Sequence, residues 1–238
     1  MNFEDNIRDH AARFPNEEVC GLVLLENDLS VTIEEMKNES DNKEKNFFIS
    51  PSKYLYYKMN NRILGIYHSH PKSTETPSSG DKKMSEELGI PYLVYSLKTD
   101  KFFLYYPESY EPEKLTSRPY VKSFHECICI WKDYYMKELG INITKWNKNY
   151  WLPEKEEKAN ELLMKVLNKN TTEVEKEKIK KSDILVFEIK KGKRFHVGVS
   201  VGNGDFIHQP IDSLSRIDML DERWQKKIKH VYRHPSLV

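Results

Sequence analysis

The sequence predicts an α+β protein of two domains, and three observations support this prediction. The chain has 238 residues, which lies between one and two domains of about 150 residues each. Helical and strand patterns alternate over roughly the first hundred residues, and three prolines then follow without a periodic pattern, namely Pro107, Pro112 and Pro119. A new series begins after them, helices first and strands second, so we expect domains at residues 1–108 and 109–238.

Composition and charge exclude several classes of protein. The 38 Lys and Arg residues nearly balance the 37 Asp and Glu residues, so no overall field would attract nucleic acid or an anionic membrane. Hydrophobic residues make up 38% of the chain, which is enough for a packed core and excludes disorder of the whole chain. The longest apolar stretch, Cys20–Leu25, is far shorter than the ~20 residues of a spanning helix, so we expect no transmembrane segment.

The N-terminal residues and the cysteines indicate a reducing compartment. The first ten residues have neither a basic start nor an apolar core, so we expect no signal peptide and a protein that stays in the cytosol. The three cysteines, Cys20, Cys127 and Cys129, are too few and odd in number for a disulfide framework. Any important cysteine therefore acts as a thiol.

Periodic patterns place the elements of the first domain. Apolar residues at helical spacing predict an opening helix from Phe3 to Phe14. Ser50 and Pro51 form a cap and a first-turn proline, which predict the start of a second helix. The other predicted elements are strands at 19–25, 30–33, 63–67, 92–97 and 102–106, and a helix at 81–88.

The second domain begins with two predicted helices, one from Cys127 to Gly140 and one over residues 153–167. The polar run 168–181 predicts a solvated loop, as does the run 38–46 in the first domain. The remaining predicted elements are strands at 184–187, 195–201, 205–208 and 230–232. Helices followed by an antiparallel sheet give an α+β arrangement again.

Two histidines stand at the end of the strand at 63–67. His68 and His70 alternate along the chain, so both imidazoles lie on one face, where they can bind one cation. The alternative is a pair of surface histidines before a proline turn. Asp81, at the start of the next helix, can turn back as a third ligand and leave a fourth position for water. Two neutral imidazoles and one carboxylate suit Zn²⁺, which lowers the pKa of a bound water.

These residues belong to a longer pattern that resembles the JAB/MPN (JAMM) metallopeptidase motif. Four elements agree with that motif in order and spacing, namely Glu18-Val19-Cys20-Gly21-Leu22, His68-Ser69-His70-Pro71, Ser78 and Asp81. The family has its glutamate three residues before the glycine, which favours Glu18 over Glu17. Cys20 is more typical of a small buried residue on the strand than of a ligand.

The resemblance covers about residues 1–106 and implies a mixed β-sheet with flanking helices. It implies that the zinc ligands are His68, His70 and Asp81. It also implies that Glu18 is the general base and that Ser78 stabilises the oxyanion, roles that suit a carboxylate outside the metal shell and a hydroxyl donor.

A second group of candidate residues lies in the second domain. Cys127 falls where an irregular segment turns into a helix, and backbone N–H groups at a helix N-terminus favour the nucleophilic thiolate. The alternative is an inert core cysteine, which is the interpretation we give to Cys129. His196 lies on the polar face of its strand, and Gly198 leaves space beside it.

The position of His208 depends on a hairpin loop. A three-residue loop, Gly202-Asn203-Gly204, would pair Val201 with Asp205 and place His208 opposite Gly198. His208 would then be a diagonal neighbour of His196, about 7–8 Å away between backbones. A loop of two or four residues would place His208 on the other face, which leaves a core or surface role open.

From Ser117 onwards the sequence resembles the NlpC-type papain-like peptidases, which cleave peptidoglycan stem peptides. The resemblance lies in Arg118-Pro119-Tyr120, His125-Glu126-Cys127, Ser182-Asp183-Ile184-Leu185-Val186-Phe187, and His196-Val197-Gly198-Val199 through His208. It implies that Cys127 is the nucleophile, His196 its base and His208 the residue that orients the imidazole. The chain departs from the family in having Glu126-Cys127-Ile128, where Asp-Cys-Ser or Asp-Cys-Tyr is common.

A JAMM domain followed directly by an NlpC-type domain resembles a family of tail tip proteins of lambda-like phages. The resemblance implies two peptidase activities, one with Zn²⁺ and one on peptidoglycan stem peptides. It implies that the partners are other phage tail tip proteins, met in the host cytoplasm during assembly or at the virion tail tip. Two other hypotheses stay open, a structural tail component with vestigial sites and a cellular isopeptidase or wall-remodelling enzyme.

Overall fold

The computed structural model describes residues 2–143 and 156–237, and the chain forms two compact units. The first unit holds the residues up to Glu111, and the second begins at Pro112. Each unit combines one β-sheet with helices, so the predicted α+β class with two domains is confirmed. In the parts of the chain that are described, no helix has the length and apolar character needed to cross a membrane.

The first unit contains a five-stranded sheet in the order β2-β1-β3-β4-β5. β3 and β4 run parallel, and the other neighbours are antiparallel, which makes the sheet mixed. The strands are β1 (Cys20–Leu25), β2 (Val31–Met36), β3 (Arg62–His70), β4 (Tyr92–Ser96) and β5 (Lys101–Tyr105). Every residue of β1 is buried, as expected of a strand with a neighbour on each side and both faces covered.

Among the described residues, three helices flank this sheet, namely α1 (Phe3–Arg13), α2 (Pro51–Asn60) and α3 (Ser79–Leu88). α1 buries Phe3, Ile7 and Ala11 against the sheet, as their helical spacing predicts. Phe14, which the same spacing also places on the apolar face, lies outside the helix and is 47% exposed. α3 ends at Gly89, whose left-handed φ of 64° closes the last turn.

The second unit contains a six-stranded antiparallel sheet in the order β10-β9-β8-β7-β11-β6. The strands are β6 (Thr172–Val174), β7 (Ile184–Phe187), β8 (His196–Gly202), β9 (Asp205–His208), β10 (Arg216–Met219) and β11 (Ile228–Arg233). The helices are α4 (Cys127–Leu139), α5 (Glu156–Asn170) and α6 (Glu222–Gln225). α4 packs against β8, and this contact joins the helical part of the unit to its sheet.

The prediction of a solvated loop over residues 168–181 is wrong. α5 continues to Asn170, β6 then pairs with β11, and a turn of 3-10 helix follows at Lys176–Lys178. β6 lies at the edge of the sheet, where polar side chains reach water, so its sequence shows little apolar alternation. The start of the predicted helix at residues 153–155 lies outside the described residues.

The hairpin between β8 and β9 has a two-residue turn instead of the expected three-residue loop. Asn203 and Gly204 both have positive φ, 55° and 80°, as a type I′ turn requires. Gly202 pairs with Asp205, and the register shifts between Ser200 and Gly202. This irregularity compensates for the shorter turn, so His208 still lies opposite Gly198, as predicted.

Gly21 on β1 is tightly enclosed, which yields a test of the packing of the first sheet. A Cβ atom there would lie 2.2 Å from the Glu34 carbonyl oxygen and 2.5 Å from the Tyr67 ring. Because backbone cannot yield as a flexible side chain does, Gly21→Ala should lower the free energy of unfolding by about 1–3 kcal/mol. Urea or thermal unfolding of the full chain measures the change.

The matched control is Gly80→Ala within α3. A Cβ atom at Gly80 has only Ser78 Oγ nearby, at 3.6 Å, so the same substitution should be neutral or stabilise by about 0.5–1 kcal/mol. Equal unfolding curves for the two variants would contradict this account of the sheet.

Candidate functional sites

The first candidate site lies where β3 ends beside α3. His68 and His70 are both buried, and the first turn of α3 brings Asp81 next to them. The Nε2 atoms of the two histidines are 3.2 Å apart. Nε2 of His68 is 3.4 Å from Asp81 Oδ1, and Nε2 of His70 is 3.7 Å from Asp81 Oδ2. The three side chains thus converge their ligand atoms within 4.8 Å of one another.

The donor set fits a zinc ion. Two nitrogen ligands at 2.0–2.1 Å in a tetrahedral shell are separated by about 3.3 Å, close to the spacing of the two Nε2 atoms. His70 Nδ1 lies 2.6 Å from the Thr74 carbonyl oxygen, which can only accept, so this nitrogen carries the hydrogen. The Nε2 lone pair of neutral His70 therefore points at His68 and Asp81, as metal binding requires.

The electrostatic surroundings of the cluster keep Asp81 ionised, which favours the binding of a cation. Burial acts to raise the pKa of Asp81, but contacts with His68, His70 and Ser78 outweigh it and lower that pKa well below its ordinary value. Burial lowers the pKa of His68, which favours the neutral imidazole. At His70 burial also acts to lower the pKa, but contacts with Asp81, the Thr74 carbonyl and Glu18 outweigh it and raise that pKa, so a metal ion would compete with a proton there. The cluster is thus an anionic carboxylate beside two imidazoles.

Glu18 faces this cluster. Cys20 lies opposite His68 in the pairing of β1 with β3, and Glu18, two residues earlier, reaches the side of His70. Glu18 Oε1 is 4.0 Å from His70 Nε2, too far for a hydrogen bond. Burial is the main cause that raises the pKa of Glu18 to about 7. Glu17 is instead about half exposed, and its carboxylate lies 3.9 Å from Lys43.

Asn38 is a positioning residue that the sequence analysis missed. The prediction of a solvated loop over residues 38–46 is wrong at this end, because Asn38 is buried. Its Nδ2 donates to the carbonyl oxygens of Glu18 (2.8 Å) and Asn46 (2.9 Å), and its Oδ1 accepts from backbone N–H groups of Ser40 and Phe48. Its side chain therefore holds the loop against the backbone of Glu18. A single polar residue in a polar run carries no signal that distinguishes this role.

Ser78 caps α3 and thereby positions Asp81. Its Oγ accepts from the Asp81 N–H at 3.1 Å, and its own N–H donates to Asp81 Oδ2 at 2.6 Å. This is a capping box with aspartate in the third position. The Ser78 side chain also interacts with the Asp81 carboxylate and contributes to the lowered pKa of that group. Cys20 is fully buried, and burial raises its pKa to about 12, so it is a core residue as the sequence analysis expects.

The second candidate site lies at the N-terminus of α4. Cys127 is the first helical residue and is partly exposed, whereas Cys129 is buried with its Sγ 3.7 Å from the Ser123 carbonyl oxygen. The helix N-terminus favours a thiolate at Cys127. α4 packs against β8, the strand that begins at His196.

His196 and His208 form a hydrogen-bonded pair in the second unit. His196 Nε2 lies 2.8 Å from His208 Nδ1. His208 Nε2 in turn lies 3.0 Å from Asp218 Oδ2, a carboxylate on β10 that the sequence analysis did not include. Gly198 leaves no room for a side chain, since a Cβ atom there would be 2.8 Å from the Phe206 ring.

Both imidazoles of this pair favour the neutral form. Burial is the main cause that lowers the pKa of His196 to about 3, and His208 and Arg216 add to the effect. Burial also lowers the pKa of His208, against the opposing effect of Asp218. A neutral His196 can accept a proton, which is what a general base must do.

Family models match both halves of the chain. Residues 2–108 match the model described as prokaryotic homologs of the JAB domain, and residues 120–233 match the NlpC/P60 family. A crystal structure of an NlpC/P60 family protein from Bacillus cereus is 14% identical and covers 95% of this chain and 66% of that chain. Its TM-score of 0.35 is too low to support any inference.

Two curated phage proteins are similar over most of the chain. The tail tip assembly protein K of Escherichia phage N15 is 22% identical over 233 residues, which cover 98% of this chain and 94% of that protein. The tail tip assembly protein K of Escherichia phage lambda is 21% identical over 188 residues, which cover 78% of this chain and 89% of that protein. The chain is therefore similar over most of its length to tail tip assembly proteins, and its two halves match, in this order, the models of the prokaryotic JAB homologs and of the NlpC/P60 family.

Proposed function

We propose that the chain is a phage tail tip assembly protein whose second unit is a cysteine peptidase that cleaves peptidoglycan stem peptides. The observation that carries this proposal is the hydrogen bond between His196 and His208. The helix of Cys127 packs against β8, the strand that begins at His196. A nucleophile, a base and a residue that orients the base are the parts that acyl transfer needs. The similarity to tail tip assembly proteins supports the place of action and other tail tip proteins as partners.

The reaction proceeds through a thioester. His196 takes the proton of the Cys127 thiol, and Sγ attacks the carbonyl carbon of the scissile amide. The C–N bond breaks as His196 returns the proton to the leaving amine. Water then hydrolyses the thioester, again with His196 as the base, and restores the thiol. His208 holds the imidazole in place throughout.

We assign a second peptidase activity to the first unit, with His68, His70 and Asp81 as the residues that hold Zn²⁺. A bound Zn²⁺ supplies Lewis acidity, which polarises a carbonyl oxygen and makes a water molecule more acidic. Glu18 is the general base, since its buried carboxylate faces the cluster but lies outside it. Ser78 has a hydroxyl hydrogen to donate to the oxyanion while its oxygen caps α3.

Replacement of the nucleophile tests the activity of the second unit. Cys127→Ala should lower the cleavage rate of a synthetic stem peptide by roughly 10³-fold or more, because no other group forms the thioester. Liquid chromatography of the peptide products measures the rate.

The matched control is Cys129→Ala, which removes a buried thiol two residues away on the same helix. This variant should retain most of the activity. Equal rates for the wild type and Cys127→Ala would contradict the assignment of the nucleophile, and a wild type that cleaves no stem peptide would favour a structural component with vestigial sites.

Metal binding and proton transfer can be separated in the first unit. We expect about one Zn²⁺ per chain in the wild type, a loss of zinc in His68→Ala, and retained zinc in Glu18→Gln, because Glu18 is outside the ligand set. Glu18→Gln should nevertheless lower the zinc-dependent peptidase rate by about 10²–10⁴-fold, the usual contribution of a general base. Metal analysis and cleavage of test peptides by the purified full chain measure both properties.

Glu17→Gln is the control for this variant, since its carboxylate is exposed and faces Lys43. It should keep both zinc and activity. Loss of zinc in Glu18→Gln, or full activity in that variant, would contradict the roles assigned here.

A further inference from the structure

Asp218 lies on the edge strand β10, beside the histidine pair. Arg216 is opposite His208 in the pairing of β10 with β9, and Asp218 is opposite Phe206. Because side chains alternate along a strand, Asp218 and His208 are diagonal neighbours on the same face. This register brings Asp218 Oδ2 to 3.0 Å from His208 Nε2.

Asp218 is held as a carboxylate. Burial acts to raise its pKa, but hydrogen bonds from Arg216 and His208 outweigh this effect and lower the pKa. Arg216 Nε lies 3.0 Å from Oδ1 and 3.1 Å from Oδ2. The carboxylate thus receives hydrogen bonds from two sides, and its position on β10 is fixed.

The carboxylate of Asp218 determines which nitrogen of each imidazole carries the hydrogen. An ionised carboxylate can only accept, so Nε2 of His208 must carry a hydrogen. A neutral imidazole has one N–H, so Nδ1 of His208 is an acceptor. His196 Nε2, 2.8 Å away, must then be the donor, which leaves the lone pair of His196 on Nδ1.

Aromatic rings surround the pair and limit exchange with water. Trp224 contacts both imidazoles, with centroid distances of 5.3 Å to His208 and 6.3 Å to His196. Phe206 lies 4.7 Å from His208, and Phe187 lies 6.0 Å from His196. In these surroundings the partners supplied by the chain decide which nitrogen carries each hydrogen.

From this arrangement we infer that Asp218 is a positioning residue, which fixes the tautomers of His208 and His196 so that Nδ1 of His196 accepts the proton of Cys127. The inference rests on the peptidase activity proposed above. Without the carboxylate, His208 can present Nδ1–H to His196, and the hydrogen of His196 then moves to Nδ1. In that tautomer His196 cannot act as the base for the thiol.

The test combines nitrogen NMR with kinetics on the full chain. In protein labelled with ¹⁵N-histidine, His196 of the wild type should show a protonated Nε2 and an unprotonated Nδ1. Asp218→Ala should mix or reverse this pattern and lower kcat on the stem peptide by about 10- to 100-fold with little change in KM. Asp218→Asn, whose amide oxygen can still accept from His208, should restore the wild-type tautomer and part of kcat.

Asp205→Ala is the matched control, an aspartate at the other end of β9. It should leave both the tautomer and kcat unchanged. A wild-type tautomer in Asp218→Ala would overturn the inference, as would a loss of kcat in Asp218→Asn equal to that in Asp218→Ala. Because the tautomer is measured without substrate, it tests the inference even if the wild type cleaves no stem peptide.

Discussion

A neutral imidazole carries a single hydrogen on two nitrogens, and both candidate sites depend on this constraint. In each unit, ring nitrogen atoms of two histidines lie 3.2 Å apart or less, and the carboxylate of one aspartate lies beside them. The carboxylate is the fixed acceptor, so its position determines what the two rings can do. In the first unit the capped first turn of α3 places that carboxylate beside the histidines, and in the second unit the pairing of β10 with β9 does so.

The two pairs differ in the nitrogen atoms that face each other. In the first unit the Nε2 atoms of both rings meet, and Asp81 lies beside both of them, so three electron-rich atoms converge. Such a convergence suits a cation. In the second unit Nε2 of one ring meets Nδ1 of the other, with Asp218 at the far end. This chain of hydrogen bonds from Asp218 through His208 to His196 suits the orientation of His196 as a base.

The sequence predicts those parts of the sites that depend on short-range spacing. His68 and His70 alternate on one strand, and Cys127 begins a helix, so their patterns are visible without tertiary structure. Asp218 is different, because its contact with His208 depends on the register in which the short edge strand β10 pairs with β9. Four residues of alternating polarity do not specify that register. The role of Asn38 likewise could not be predicted, because it depends on how the loop at residues 38–46 lies against the backbone of Glu18. The pairing of His208 with Gly198 was predicted correctly from a wrong loop length. The turn has two residues instead of three, and the shift of register between Ser200 and Gly202 compensates for the difference.

The most direct test of the account is a zinc titration of the full chain labelled with ¹⁵N-histidine, followed by NMR. One equivalent of Zn²⁺ should shift the Nε2 resonances of His68 and His70 and leave those of His196 and His208 unchanged. If zinc leaves the first pair unaffected, or shifts both pairs alike, the distinction between a cation site and an oriented base is wrong.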